Sequence, residues 1–267
     1  MPILVNKSSR VLYQGVAGEE GVFDLQQCLA YGTNVVGIVD SNYDGKQILG
    51  VPIFSTLWEA KNKARPNVSL IRVESSLAAD AILEAEDSGI ECIISQSSGL
   101  PKHDMVEVER VLEKNKRSRL LGPPSFGVIT PERAKVGRMP GYIFSPGPIG
   151  MISSADTLSY EAAWQMTRSG IGQSTCVGIG NEGGASFVEL LSLFEKDSRT
   201  EGVLLLALEE DEGIDEVVSW AKKGRHKPLF LYIAGREKAL KKSDIVLIED
   251  LSKIGERVHN IMKKSKG

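Results

Sequence analysis

Short β-branched runs alternate with longer segments of helical periodicity along almost the whole chain, and no other feature constrains the fold as strongly. Strands that each feed a helix return to their sheet in parallel, so the pattern implies an α/β protein with parallel sheets. Val11 to Tyr13 reads as a strand, Glu20 to Tyr31 as a helix stopped by Gly32, and Val35 to Val39 as a second strand, together a βαβ unit. Helices over 56–64, 77–88 and 104–116 and strands over 68–73 and 92–95 extend it into one doubly wound sheet. The rhythm restarts with strands over 149–153, 175–179, 203–208, 229–233 and 245–248 and helices over 157–168, 187–195, 214–222 and 251–263. Between the halves, Gly122-Pro123-Pro124 and Ser145-Pro146-Gly147-Pro148 predict a break in both helix and strand. The expected organisation is a first domain over 1–121, a Pro/Gly-rich linker over 122–147 and a second domain over 148–267, in keeping with about 150 residues per domain.

Composition removes several classes of function. A formal charge of −3, from 32 Lys and Arg against 35 Asp and Glu, leaves no basic excess for nucleic acid. The longest apolar runs, Val203 to Leu208 and Leu229 to Ala234, are too short to cross a bilayer, and Met1 to Lys7 lacks the apolar core of a signal peptide. Three widely spaced cysteines, Cys28, Cys92 and Cys176, suit reduced, buried thiols rather than disulfides or zinc. A cytoplasmic protein is expected.

Two features carry chemistry. Gly15, Gly18 and Gly21 lie between the first strand and first helix, where backbone N–H groups and the helix dipole favour a pyrophosphate. Asp40 ends the second strand about 20 residues beyond a dinucleotide-type loop, where a carboxylate can hold a ribose diol as in NAD sites; Asp40 to Gly45 equally reads as a solvated turn. The run Glu209 to Glu212 lacks calcium-loop spacing and is expected to be a solvated loop, so no metal site is expected.

Further segments, in order along nearly the whole chain, resemble the α subunit of succinyl-CoA synthetase. They are Ile94-Ser95-Gln96-Ser97-Ser98-Gly99-Leu100-Pro101, Leu121-Gly122-Pro123, Gly127-Val128-Ile129-Thr130-Pro131, Thr157-Leu158-Ser159-Tyr160-Glu161-Ala162 and Gly172-Gln173-Ser174-Thr175-Cys176-Val177-Gly178-Ile179-Gly180. The resemblance implies a Rossmann-like CoA-binding domain followed by a flavodoxin-like ligase domain. It implies coenzyme A contacts at Ala17, Gly18, Glu19 and Glu20 and at Gln96, Ser97 and Ser98, and a substrate contact at Tyr160. The family's CoA-phosphate lysine falls on Tyr43, with Lys46 nearby.

The chain also departs from that family. After Tyr232-Ile233-Ala234-Gly235 the family's loop bearing a phosphorylated histidine has no counterpart, and His103, His226 and His259 all lie elsewhere, so no catalytic residue is expected. The acid that orients that histidine falls on Leu208, one residue before Glu209, which on a strand is the opposite face. The family's phosphate-cradling Ser-Gly turn becomes Ser154-Ala155-Asp156, placing a carboxylate where an anion would sit. The expectation is a CoA-binding, α-subunit-like protein, paired with a β-like subunit or self-associating, without the phosphohistidine step. A working subunit of an acyl-CoA ligase with a modified mechanism and an NAD-binding Rossmann protein are the alternatives.

Overall fold

The opening βαβ unit forms as β1 (Val11–Gln14), α1 (Gly18–Ala30) and β2 (Val35–Val39), with every residue of β1 buried. The structure, a computed structural model, describes residues 3–16, 18–40, 46–224, 227–235 and 245–264. A short β3 (Gln47–Ile48) turns antiparallel onto β4 (Val51–Phe54), which the sequence reading missed because Pro52 interrupts it. Then follow α2 (Leu57–Ala64), β5 (Val68–Ile71), α3 (Ser75–Asp87), β6 (Cys92–Ser95), α4 (Lys102–Asn115) and β7 (Arg119–Leu121). The α2 helix starts where Thr56 Oγ1 accepts the Glu59 amide proton at 3.2 Å, and it stops where Arg65 turns left-handed. The strand order is β3-β4-β2-β1-β5-β6-β7, and every pair but β3–β4 is parallel.

The segment expected as a linker carries two strands instead: β8 (Gly127–Thr130) and β9 (Ala134–Gly137) form an antiparallel pair at the edge of the second sheet. Pro and Gly density marks the entry to this hairpin, not an absence of structure. At that entry Ser125 joins the two sheets: its N–H donates to Ser95 O at 2.7 Å and its Oγ to Gly178 O at 2.7 Å. The chain continues as β10 (Pro146–Ser153), α5 (Asp156–Arg168), β11 (Gln173–Gly178), α6 (Phe187–Lys196), β12 (Gly202–Leu208), α7 (Ile214–Lys222), β13 (Leu229–Ala234), β14 (Ile245–Leu247) and α8 (Ile254–Lys264). The second sheet runs β14-β13-β12-β10-β11-β8-β9.

Side chains of β10 and β12 alternate between two apolar clusters, Met151, Leu204 and Leu206 packing with α5 and α8, and Ile152, Val203 and Leu205 with α6 and α7. Both faces are therefore covered, which is why these strands read as continuous apolar runs. The second cluster also takes in Val11, Leu25 and Cys28 of the first sheet's domain, so the two sheets share apolar packing. Thr33 Oγ1 adds a polar tie, donating to Lys135 O at 2.7 Å and accepting from Lys135 N at 3.0 Å.

Candidate functional site

In an open parallel sheet, ligands bind beyond the carboxyl ends of the strands where the connections reverse direction. In the first sheet the chain leaves β1 toward β2 and leaves β5 toward β6, so the crevice lies beyond Gln14 and Ile71. Gly15 turns there with φ +84°, and a Cβ at this position would stand 2.5 Å from Arg72 O and 2.9 Å from Val73 Cγ1. Only glycine fits this turn, which delivers the chain into α1 through Gly18 and Gly21. Ala17 lies outside the described residues, as does Tyr43.

Glu19 and Glu20 are exposed in the first turn of α1. Above them sits Arg72, a residue no sequence motif singles out: one nitrogen donates to Glu20 Oε2 at 2.7 Å and another to the carboxylate of Asp24. These residues, with Phe23 and Arg138, line a cleft of about 470 Å³. Tyr160 reaches toward the same place from α5, its ring packed edge-on against Phe126 with centroids 6.0 Å apart. Burial pushes its phenol up, the Asp156 carboxylate adds to this, and the Arg138 charge opposes it. The cleft thus draws on both sheets.

Asp40 follows β2, its N–H donating to Phe54 O at 3.1 Å; it flanks β1 on the side away from Arg72. Lys46 is exposed and lies one strand further out, its carbonyl accepting from Ile53 N at 3.0 Å. Beyond β6, Ser97 Oγ donates to Val73 O at 2.7 Å and accepts from Val73 N at 3.2 Å, tying this segment to the turn that faces Gly15. Ser98 is exposed. At Gln96 both Oε1 and Nε2 are buried and without a hydrogen-bond partner among the described residues. Protein covers this amide: a Cβ on Gly137, in β9 at the edge of the second sheet, would stand 3.2 Å from Gln96 Nε2.

The second sheet has its own crevice, between β10 and β12. Ser154 Oγ donates to the Asp211 carboxylate, which also accepts the Leu208 amide proton at 2.7 Å. Asp156 opens α5 and accepts the Thr157 amide proton at 2.7 Å. The run Glu209 to Glu212 is therefore more than a solvated loop: Asp211 is only partly exposed and knits the ends of the two strands together. Next to it, the loops after β11 and β12 enclose a cleft of about 810 Å³. Leu208 ends β12 half-buried, and Glu209 packs against Gly235. His103 is exposed beside Asp104 and His259 is half-buried on α8; His226 and the segment 236–244 lie outside the described residues.

Residues 6–99 match the CoA binding domain and residues 146–258 the succinyl-CoA ligase like flavodoxin domain. Over 98% of its length the chain is 40% identical to a succinate–CoA ligase [ADP-forming] subunit alpha from Aquifex aeolicus, covering 95% of that protein. This chain belongs to the succinate–CoA ligase alpha-subunit family. Another member, the malate–CoA ligase subunit alpha of Methylorubrum extorquens, is 41% identical across 88% of this chain and 81% of its own length. The fold also matches an ATP citrate lyase from Methanothrix soehngenii solved with citrate and coenzyme A, with a TM-score of 0.79, 16% identity and coverage of 99% of this chain and 47% of the lyase. The first crevice is accordingly that of the family's CoA-binding domain, and the second that of its flavodoxin-like ligase domain. No helix among the described residues is long and apolar enough to cross a membrane.

Proposed function

We propose that this chain binds coenzyme A at the first crevice, pairs with a β-like ligase subunit, and takes no phosphohistidine step. The observation that carries the cofactor is the Gly15 turn at the first crevice, where only glycine fits, within the segment 6–99 that matches the CoA binding domain. NAD would leave no reason for the CoA-binding match over residues 6–99. When bound, coenzyme A supplies the thiol that accepts an acyl group. The backbone of Gly15, Ala17, Gly18, Glu19, Glu20 and Gly21 would hold its pyrophosphate, Lys46 or Tyr43 its further phosphate, and Gln96, Ser97 and Ser98 its amide-bearing arm; Tyr160 would face the acyl substrate. Asp40 would disfavour a second phosphate near the ribose.

Support for the missing phosphohistidine step comes from the ligase crevice, where Asp211 and Asp156 place two carboxylates at the turn that resembles a phosphate cradle. The relatives' description as alpha subunits supports a partner chain, and three buried free thiols suit the cytosol. Calorimetric titration with CoA, dephospho-CoA and NAD, on this protein and on Asp40→Asn, tests the cofactor. A CoA form should bind tightest, with CoA gaining affinity in Asp40→Asn. Tighter binding of NAD than of both CoA forms overturns the reading. Light scattering of the chain alone and with a β subunit tests the partner; a monomer in both defeats it.

A further inference from the structure

We propose that Glu182, on the ligase domain, is a positioning residue for the coenzyme A segment of the first domain, a proposal that rests on the cofactor reading above. The loop after β11 lies across the first domain. The Glu182 N–H donates to Pro123 O at 3.0 Å, and the Ala185 N–H to Leu120 O at 2.8 Å. Between them the backbone is seated without slack: a Cβ on Gly183 would stand 2.8 Å from both Met105 Cε and Glu109 Oε1, and one on Gly184 2.4 Å from Gly122 O. From this fixed base the Glu182 side chain reaches the segment that follows β6. The Gly99 N–H lies 3.1 Å from each carboxylate oxygen and the Leu100 N–H 3.2 Å from Oε2.

Gly99 is left-handed, with φ +73°, and this conformation turns two successive amides toward one point, the geometry of an anion-accepting nest. A carboxylate accepting backbone N–H groups makes bonds of the stronger, charge-assisted kind. Residues 96–101 belong to no helix or strand. They are held at one end by the Gln96 N–H on Ile71 O (2.9 Å) and by Ser97 on Val73, within the first domain. Glu182 holds the other end from the second domain. Without it, the Gly99–Leu100 turn loses its hold on the second domain, and ligand binding must then supply the ordering that the carboxylate supplies in advance.

A comparison within the same interface separates positioning from general adhesion. Arg119 Nε donates to Glu189 Oε1 at 2.6 Å, bridging the same two domains away from the segment. Calorimetry with CoA on Glu182→Ala, Glu182→Gln and Arg119→Ala, combined with amide hydrogen exchange, tests the idea. Glu182→Ala should weaken CoA about tenfold and speed exchange at Gly99 and Leu100. Glu182→Gln, which keeps one acceptor oxygen, should fall between, and Arg119→Ala should stay within about twofold of the parent protein. Parent-like CoA affinity in Glu182→Ala, or an equal loss in Arg119→Ala, overturns the proposal. Failure of the parent protein itself to bind CoA would instead defeat the cofactor reading, together with this proposal.

Discussion

The hydroxyl of Ser154 donates its proton to the carboxylate of Asp211, so the ends of β10 and β12 are tied together across the crevice between them by side chains of the protein itself. The same carboxylate takes the Leu208 amide proton. Asp211→Ala leaves both donors partly buried without this acceptor, and it should cost about 1–3 kcal/mol in urea unfolding. Ser154→Ala, which spares the Leu208 bond, should cost less. Equal stability of Asp211→Ala and the parent would show that water replaces the carboxylate.

With Asp156 and Asp211 at this crevice, a phosphoryl group would meet like charge. Two unit charges about 4 Å apart at an effective dielectric near 20 repel by roughly 4 kcal/mol. Incubation with a β subunit and radiolabelled ATP or GTP should therefore leave no acid-labile, alkali-stable label on this chain. Stoichiometric label would refute the loss of the phosphohistidine step.

Arg72 holds two carboxylates of α1 that should differ sharply in worth. The Glu20 side chain is 89% exposed, and such pairs contribute about 0–1 kcal/mol; the Asp24 side chain is 12% exposed and the Arg72 side chain 19%. Removing one partner of a buried pair costs about 3–5 kcal/mol at full burial, so Asp24→Ala should lower stability by more than 2 kcal/mol. Glu20→Ala should stay within about 1 kcal/mol. Denaturant midpoints in the reverse order would show that Arg72 is held mainly by the outer carboxylate.

Gly15→Ala adds a Cβ 2.5 Å from Arg72 O at a φ of +84°. Left-handed strain alone is of order 1–3 kcal/mol, and the clash is with backbone, which cannot swing aside. A fall in Tm together with lost CoA binding is expected. Unchanged CoA affinity would remove this turn from the ligand site.

Burial pushes the Cys92 thiol up to about 12 and raises Cys176 as well, from an ordinary value near 9. The fold favours the neutral thiol, so stability should be insensitive to these groups below pH 9 and decline as pH rises from 9 toward 12. Ellman's reagent at pH 8 should find no reactive thiol in the native protein and three after denaturation, since all three cysteines are buried. A thiol that reacts rapidly before unfolding would contradict the packing.

Most helices and central strands were legible because their signal is local. The β2 and β6 strands and the α7 helix match their expected ranges, since apolar periodicity and Gly stops act within a few residues. The strands β4, β7, β8 and β9 were not, because they are short and carry Pro, Gly or charged residues; they are strands only through the neighbours they pair with. The glycine turn at Gly15 could be placed from spacing alone. Arg72, Asp24 and Asp211 could not, since nothing local distinguishes a paired charge from a solvated one.

By itself the sequence determined the alternation of strands and helices, the parallel cores of the two sheets, and a glycine turn that no larger residue could form, because each depends on side-chain size, branching and backbone freedom over a short span. Only the tertiary structure decided which charges meet. Arg72 finds Asp24 48 residues away, Ser154 finds Asp211 57 residues away, and Glu182 crosses between domains to amides 82 and 83 residues away. Such contacts depend on where strand ends converge in space, and that is a property of sheet order rather than of any local pattern.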